Sequence, residues 1–456
     1  MNSRARDLKW ALVGIAFSFF SSSYVFALAA PLHAAPPTEA LGIAGDMGLG
    51  GLNGKTHATV QSSLDIWQGN LTLGFLGRVR FPLEHTPNET YVRRRDWDEV
   101  TDFIHILRSI RYSRSLATMQ LHAEEGEMLG FSLGHGTLVR DYSNVADPDH
   151  PHSGLRLHLE GERLDFDSMV DNFVRPSVLA FRLAGKPAAA LPGFKLGMSL
   201  VIDPRAPLQV KQGPSGERLI DAAYNLQVET KPLTLMGMDV EYAIGSREKG
   251  QLIPYSDFNT SFYGIGFHGG VMSSIPLGRT ASTFGLQVEY RASSAGYSPA
   301  HIETFYDIER YQARLSLSPS DRANLEDFTP KLNGLNKGLY EGQGVLAQTS
   351  LHFRQLIQLK AGFSHRSGPD ANTLWLRSAM KPLARLDLGF LLVLRGLSEQ
   401  GSGKNGIMAL AEGRYRLADY LYMLAQYTRT WSLIDDARFF GILQSFNMSI
   451  GANWSG

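Results

Sequence analysis

The stretch Phe439 to Trp454, FFGILQSFNMSIGANW, decides how the rest of this chain reads. Taken in steps of two, Phe446, Met448, Ile450, Ala452 and Trp454 form one face. Ser445, Asn447, Ser449, Gly451 and Asn453 form the other. A strand pleats with period two, so this segment is apolar on one side and small or polar on the other. In a soluble sandwich the apolar side faces a core. In an outer-membrane barrel it faces lipid, with an aromatic at the interface and a polar lumen behind.

Upstream, the same alternation recurs. Leu71, Leu73, Phe75, Val79 and Phe81 alternate with Thr72, Gly74, Leu76, Arg78 and Arg80, and two arginines on one face suit a wet interior. Phe194 to Leu200, Met236 to Ile244 and Phe284 to Arg291 repeat the pattern. Three hairpins follow: Val345 to Phe363, Leu374 to Leu394 and Ile407 to Thr428. Lys195, Glu289, Arg291, Lys360 and Arg377 fall on the polar faces. Tight turns alternate with long polar connections such as Arg291 to Asn336, the asymmetry of a porin-type barrel. The expected fold is all-β, a closed antiparallel transmembrane β-barrel of about 16–18 strands, with short periplasmic turns and longer extracellular loops.

Composition agrees. Lysine plus arginine equals aspartate plus glutamate at 44 each, so there is no basic footprint for nucleic acid. The absence of cysteine removes disulfides, thiolate metal sites and cysteine nucleophiles. Nothing in the sequence calls for a cofactor. Arg4, Arg6 and Lys9 precede an apolar run from Trp10 to Phe26 and the small-residue site Ala27-Leu28-Ala29. Residues 1–29 therefore read as a secretory signal peptide, with cleavage near Ala34 or Ala35 as the alternative. Residues 30–55, rich in Gly, Ala and Pro, read as a periplasmic lead-in, and 56–456 as the barrel, placed in the outer membrane. Gly451 and Trp454 stand at the spacing of the C-terminal strand signal read by the barrel-assembly machinery, although the chain finishes Ser455-Gly456.

Asp96-Trp97-Asp98-Glu99 is followed by Met128 to Asn144, MLGFSLGHGTLVRDYSN, and then by Asp147 to Gly154, DPDHPHSG. With the later PYSDFN (254–259) and FYDIERY (305–311), this order resembles an uncharacterised family of predicted outer-membrane β-barrel proteins from myxobacteria and related deltaproteobacteria. The resemblance implies the barrel and its location. It implies no activity and no catalytic residues.

Met128 to Asn144 is expected to fold into the lumen as a constriction or plug. His135, Arg140, Asp141 and Tyr142 are its candidate pore residues, and Gly134 and Gly136 permit a tight backbone. An Arg140–Asp141 pair within an ordinary loop is the alternative. Asp147, Asp149, His150 and His152 offer oxygen and imidazole ligands to a metal, at spacings that no regular element fixes. His152-Ser153 also raises an outer-membrane hydrolase, but neighbours in an extended chain point opposite ways. Arg93-Arg94-Arg95 beside Asp96, Asp98 and Glu99 suits either lipopolysaccharide or an internally paired loop. Three classes of function follow. The first is a porin-like conduit or the membrane part of an export system, with polysaccharide secretion among its uses. The second is a non-conducting structural barrel anchoring a motility or secretion complex. The third is an enzyme. Expected partners are outer-membrane lipid and lipopolysaccharide, the assembly machinery, and periplasmic export or motility proteins.

Overall fold

The computed structural model describes residues 39–455, apart from 53, 85–90, 94–95, 98–99, 145, 147–149, 151, 188–190, 215–216, 222–224, 247, 279–281, 315–328, 355, 398–405 and 435–438. The signal peptide expected over residues 1–29 lies outside the described residues.

The wall strands between residues 39 and 455 close into one antiparallel β-barrel, each paired with the wall strands before and after it. The ring closes where Glu39–Leu52 pairs with Lys55–Gln68 on one side and Phe439–Ser455 on the other. There Ile43 lies opposite Trp454 and Leu49 opposite Met448. Twenty staves make the wall, and a three-residue strand, Ile244–Ser246, continues Val228–Tyr242. That exceeds the 16–18 expected from alternation. Two of the extra staves come from residues 39–68. Residues 39–52 are the closing strand, which corrects their assignment to a periplasmic lead-in. The pattern hides there because glycines replace half the polar side chains. A Cβ on Gly48 would lie 2.3 Å from the Met448 carbonyl oxygen, so only glycine permits this close approach of strands.

The wall is inside out relative to a soluble protein. Ile43, Met198, Met238, Phe258, Val288 and Ile450 are exposed, while Asp46, Asp65, Asp239, Asp257, Glu289 and Arg291 are buried. The two sets alternate along the same strands. Apolar groups remain exposed in such a continuous belt only where the surrounding solvent is apolar, so the belt is a lipid face. In the last strand Phe446, Met448, Ile450 and Trp454 point outward and Ser449 and Gly451 inward. Gly451 leaves room for the Tyr422 ring, which would meet a Cβ there at 2.4 Å.

The two rims differ. Both ends of the paired chain, with turns such as 69–70, 116–118, 162–163 and 384–385, lie at one rim. The connections 83–106, 127–153 and 294–341 lie at the other. The described residues of two of these long connections fold back inside the wall. One carries the short helices Tyr306–Glu309 and Lys331–Asn336. The two meet in the lumen, where Val139 and Arg140 bridge in parallel to Ile302 and Glu303. Their apolar side chains, Phe131, Leu138, Val139, Tyr142, Ile302 and Leu335 among them, pack on Val178, Val201, Leu233 and Leu235 of the wall. A second cluster faces it across the lumen, where Phe305 and Ile308 of the same connection pack on Val393, Leu410, Trp431 and Phe440 of the wall.

Candidate functional site

The first inward loop, 127–153, is fastened residue by residue. Gly134 and Gly136 take φ values of 56° and 80°, turning the backbone so that His135 reaches the wall. Its Nδ1 lies 2.8 Å from Asp257 and its Nε2 2.8 Å from Glu241, and its ring stacks on Tyr255 at 4.0 Å. Two carboxylates, one at each nitrogen, call for the doubly protonated ring, which alone has two donors. Burial pushes the imidazole pKa down, but the hydrogen bonds to Asp257 and Glu241 outweigh it and raise it to about 9. Thr137 donates to the other Asp257 oxygen at 2.6 Å.

Arg140 and Asp141 do not pair with each other; they face opposite ways. Arg140 lies 3.5 Å from Glu289, a buried wall carboxylate that also accepts from Tyr255 and Arg291. Asp141, at a left-handed φ of 46°, accepts from Lys360 of the opposite wall at 2.6 and 2.8 Å. Burial raises the Asp141 carboxyl pKa, and the Lys360 ammonium more than offsets it, so the net direction is down. Tyr142, fully buried, donates to Asp307 of the second loop at 3.0 Å. Burial, and then the Asp307 charge, push its phenol well above the usual tyrosine range.

The second loop, 294–341, carries its own anchors. Tyr306 donates to wall Asp203 at 2.9 Å and Arg310 pairs with the same carboxylate. On its other side Glu303 meets Arg366 at 2.9 Å and Arg395 at 3.1 Å. Glu309 meets Lys331 at 2.5 Å and also Arg395. Both loops thus turn cations or imidazole toward acidic wall strands and carboxylates toward basic ones.

Beside the loops lies a void of about 1960 Å³, the solvent at its open side included. It runs between them and the wall strands Glu39–Pro82 and Gly342–Ser455. Its wall supplies Arg78, Arg80, Arg291, Lys360, Arg366, Arg377 and Arg395, and the first loop adds Arg140. Against these eight cations stand three acids, Asp141, Glu303 and Glu412, an excess of five. Counting Glu289, Glu309 and Asp96, which pair with lining cations from behind, still leaves an excess of two. Among the described residues the Arg377 side chain makes no hydrogen bond or contact ion pair, and its guanidinium stands beside Gly130 of the first loop. Phe305, Trp375, Leu391, Val393 and Leu410 give the void an apolar strip.

The other sequence candidates fall elsewhere. Asp147 and Asp149 lie outside the described residues. His152 does not converge with His150; its Nδ1 lies 3.8 Å from Asp171 and 3.6 Å from Asp307. Ser153 donates to Glu125 and so is not paired with His152. Arg93 and Arg80 both bind Asp96, so that part of the charged run is internally paired, and Arg94 and Arg95 lie outside the described residues. The strand pattern could have flagged Arg366, Arg395 and Glu303 as polar, but not that they meet.

No protein-family model matches this chain, and no curated protein does. Solved structures that align with it are barrels. OccK3 (OpdO) of Pseudomonas aeruginosa shares 9% identity over 91% of this chain and 96% of its own, with a TM-score of 0.36. OccAB2 of Acinetobacter baumannii shares 10% over 91% and 98%, with a TM-score of 0.32. A mutant of the ferric enterobactin receptor PfeA of P. aeruginosa shares 10% over 92% and 81%, with a TM-score of 0.34. Superpositions this loose say nothing about solute, and the barrel stands on its own strand pairing and inverted polarity.

Proposed function

We propose that this protein is an outer-membrane, porin-like conduit that favours small anionic solutes, which pass through the open side of a lumen otherwise filled by two inward loops. The observation that carries this reading is the excess of cationic side chains around the remaining void. In a confined space with low-dielectric walls, fixed charges of one sign concentrate counter-ions and repel co-ions. Arginine adds a planar fork that matches carboxylate or phosphate, so a ladder of arginines hands an anion from one donor pair to the next. The apolar strip beside it accommodates the carbon skeleton of an organic acid.

The packed half of the lumen favours a second reading, a non-conducting structural barrel. Its two loops are joined to the wall through buried ion pairs and to each other through the Tyr142–Asp307 hydrogen bond. The discriminating measurement is planar-bilayer recording of the purified protein across a KCl gradient. An anion conduit shows discrete channels with a reversal potential toward that of chloride. Cation preference would sink the anion reading, and silence would favour the structural barrel.

A further inference from the structure

Outside the void, three side chains from three separate segments converge at the long-loop rim. His152 closes the first inward loop, Asp171 begins the turn after the wall strand Leu164–Val170, and Asp307 sits on the second loop's short helix Tyr306–Glu309. One ligand atom from each lies within 4.8 Å of the other two. We propose that His152, Asp171 and Asp307 form a divalent transition-metal site, with Zn²⁺ as the probe, that clasps both inward loops to the barrel wall.

Spacing is the first argument. The His152 nitrogen stands 3.8 and 3.6 Å from the two carboxylate oxygens, too far for hydrogen bonds. Zinc bonds of about 2.0–2.2 Å in tetrahedral array put neighbouring ligand atoms roughly 3.3–3.6 Å apart. The two gaps are within a few tenths of an ångström of those an ion would set. The second argument is an orphan. Asp171 is fully buried, and its Oδ1 accepts from the Ser177 and Val178 amides at 2.8 Å each. Its Oδ2 has no hydrogen-bond partner and points at His152. A buried carboxylate oxygen without a donor is costly unless a cation answers it. The remaining oxygens are oriented as ligands usually are, since the two amides fix one carboxylate and Tyr142 donates to the other at 3.0 Å. His152 keeps a fifth of its side-chain surface exposed, which gives an ion a way in. One imidazole and two carboxylates suit zinc or another borderline divalent ion better than calcium, which takes oxygen ligands only.

The test uses the whole protein in mild detergent, stripped with a chelator and titrated with ZnCl₂ by calorimetry. The expected result is about one ion per chain, with affinity lowered more than about tenfold in His152→Gln and in Asp171→Asn. The stacked pair His122 and His158, 6.1 Å apart, is the obvious competing zinc trap, so His158→Gln is the control and should bind as the parent does. Each variant is first checked for the gel shift between unboiled and boiled samples that a folded barrel gives. X-ray absorption at the zinc edge of the unaltered protein decides independently of folding. A shell of one imidazole with oxygens supports the clasp, and two or more imidazoles overturn it. No saturable binding, or binding abolished by His158→Gln alone, also overturns it.

Discussion

The two halves of the lumen use the same residue types to opposite ends. Along the strands from Met119 to Ser261, wall carboxylates Asp203, Asp239, Glu241 and Asp257 are each met by a fixed partner: Arg310, Arg182, His135 or Thr137. Along the strands from Gly342 to Ser455 and from Glu39 to Pro82, the wall is basic: Lys360, Arg366 and Arg395 are met by loop carboxylates, yet cations stay in excess around the void. Where a charge is fully answered, it serves as a fastener, because the paired and desolvated geometry has no room for a solute. Where charge is left in excess beside a void, it acts on whatever enters. The inward loops divide one wall into these two roles by turning their own cations to the acidic side and their acids to the basic side.

The comparison breaks most visibly if the loops are not what fills the covered half. Deleting Gly134 to Tyr142 removes the His135, Arg140, Asp141 and Tyr142 anchors together. Single-channel conductance in planar bilayers should then rise several-fold, since the narrowest segment dominates resistance. Unchanged conductance would mean that ions already bypass the loop.

Next in size is the loss of one fastener. Arg182→Gln leaves Asp239 buried without the donors it now has at 2.6 and 3.1 Å. Breaking such a pair costs roughly 3–5 kcal/mol. The midpoint of urea unfolding, read by the gel shift of the folded barrel, should fall accordingly, while ion selectivity stays as it was.

Proton linkage tests the same half more gently. The folded pKa of His135, about 9, lies above the ordinary 6.5. The imidazolium's contribution is therefore complete below about pH 6.5 and is lost as the pH rises through 9. A shift of this size is worth on the order of 3 kcal/mol at most. Stability should decline between those pH values in the parent and more shallowly in His135→Gln. A parent whose stability is flat across that window would mean that His135 is docked as neutral imidazole.

The smallest effect belongs to the open half. Arg377→Gln removes a cation that has no contact partner to orphan, so stability should hold while the reversal potential moves toward zero. Set beside Arg182→Gln, it is the same chemical change with the opposite signature. If both variants lose stability and keep selectivity, the open half is not a conduit.

The sequence by itself determined the wall. Period-two alternation needs only neighbouring residues, and in Phe439 to Trp454 or Leu386 to Leu394 it assigns lipid and lumen faces directly, because pleating is a local property. It failed at residues 39–52, where glycines required for close strand approach erase the polar half of the signal. It placed Met128 to Asn144 apart from the strands and singled out His135, Arg140 and Asp141. What each would touch was decided by the tertiary structure alone. His135 meets Asp257, 122 residues away, and Asp141 meets Lys360, 219 residues away. His152 finds Asp171 and Asp307 rather than the aspartates beside it in the chain. Such contacts depend on strand register around a closed ring and on how two loops fill its lumen. No local pattern encodes them, because the electrostatic partner of a buried charge is chosen by proximity in space.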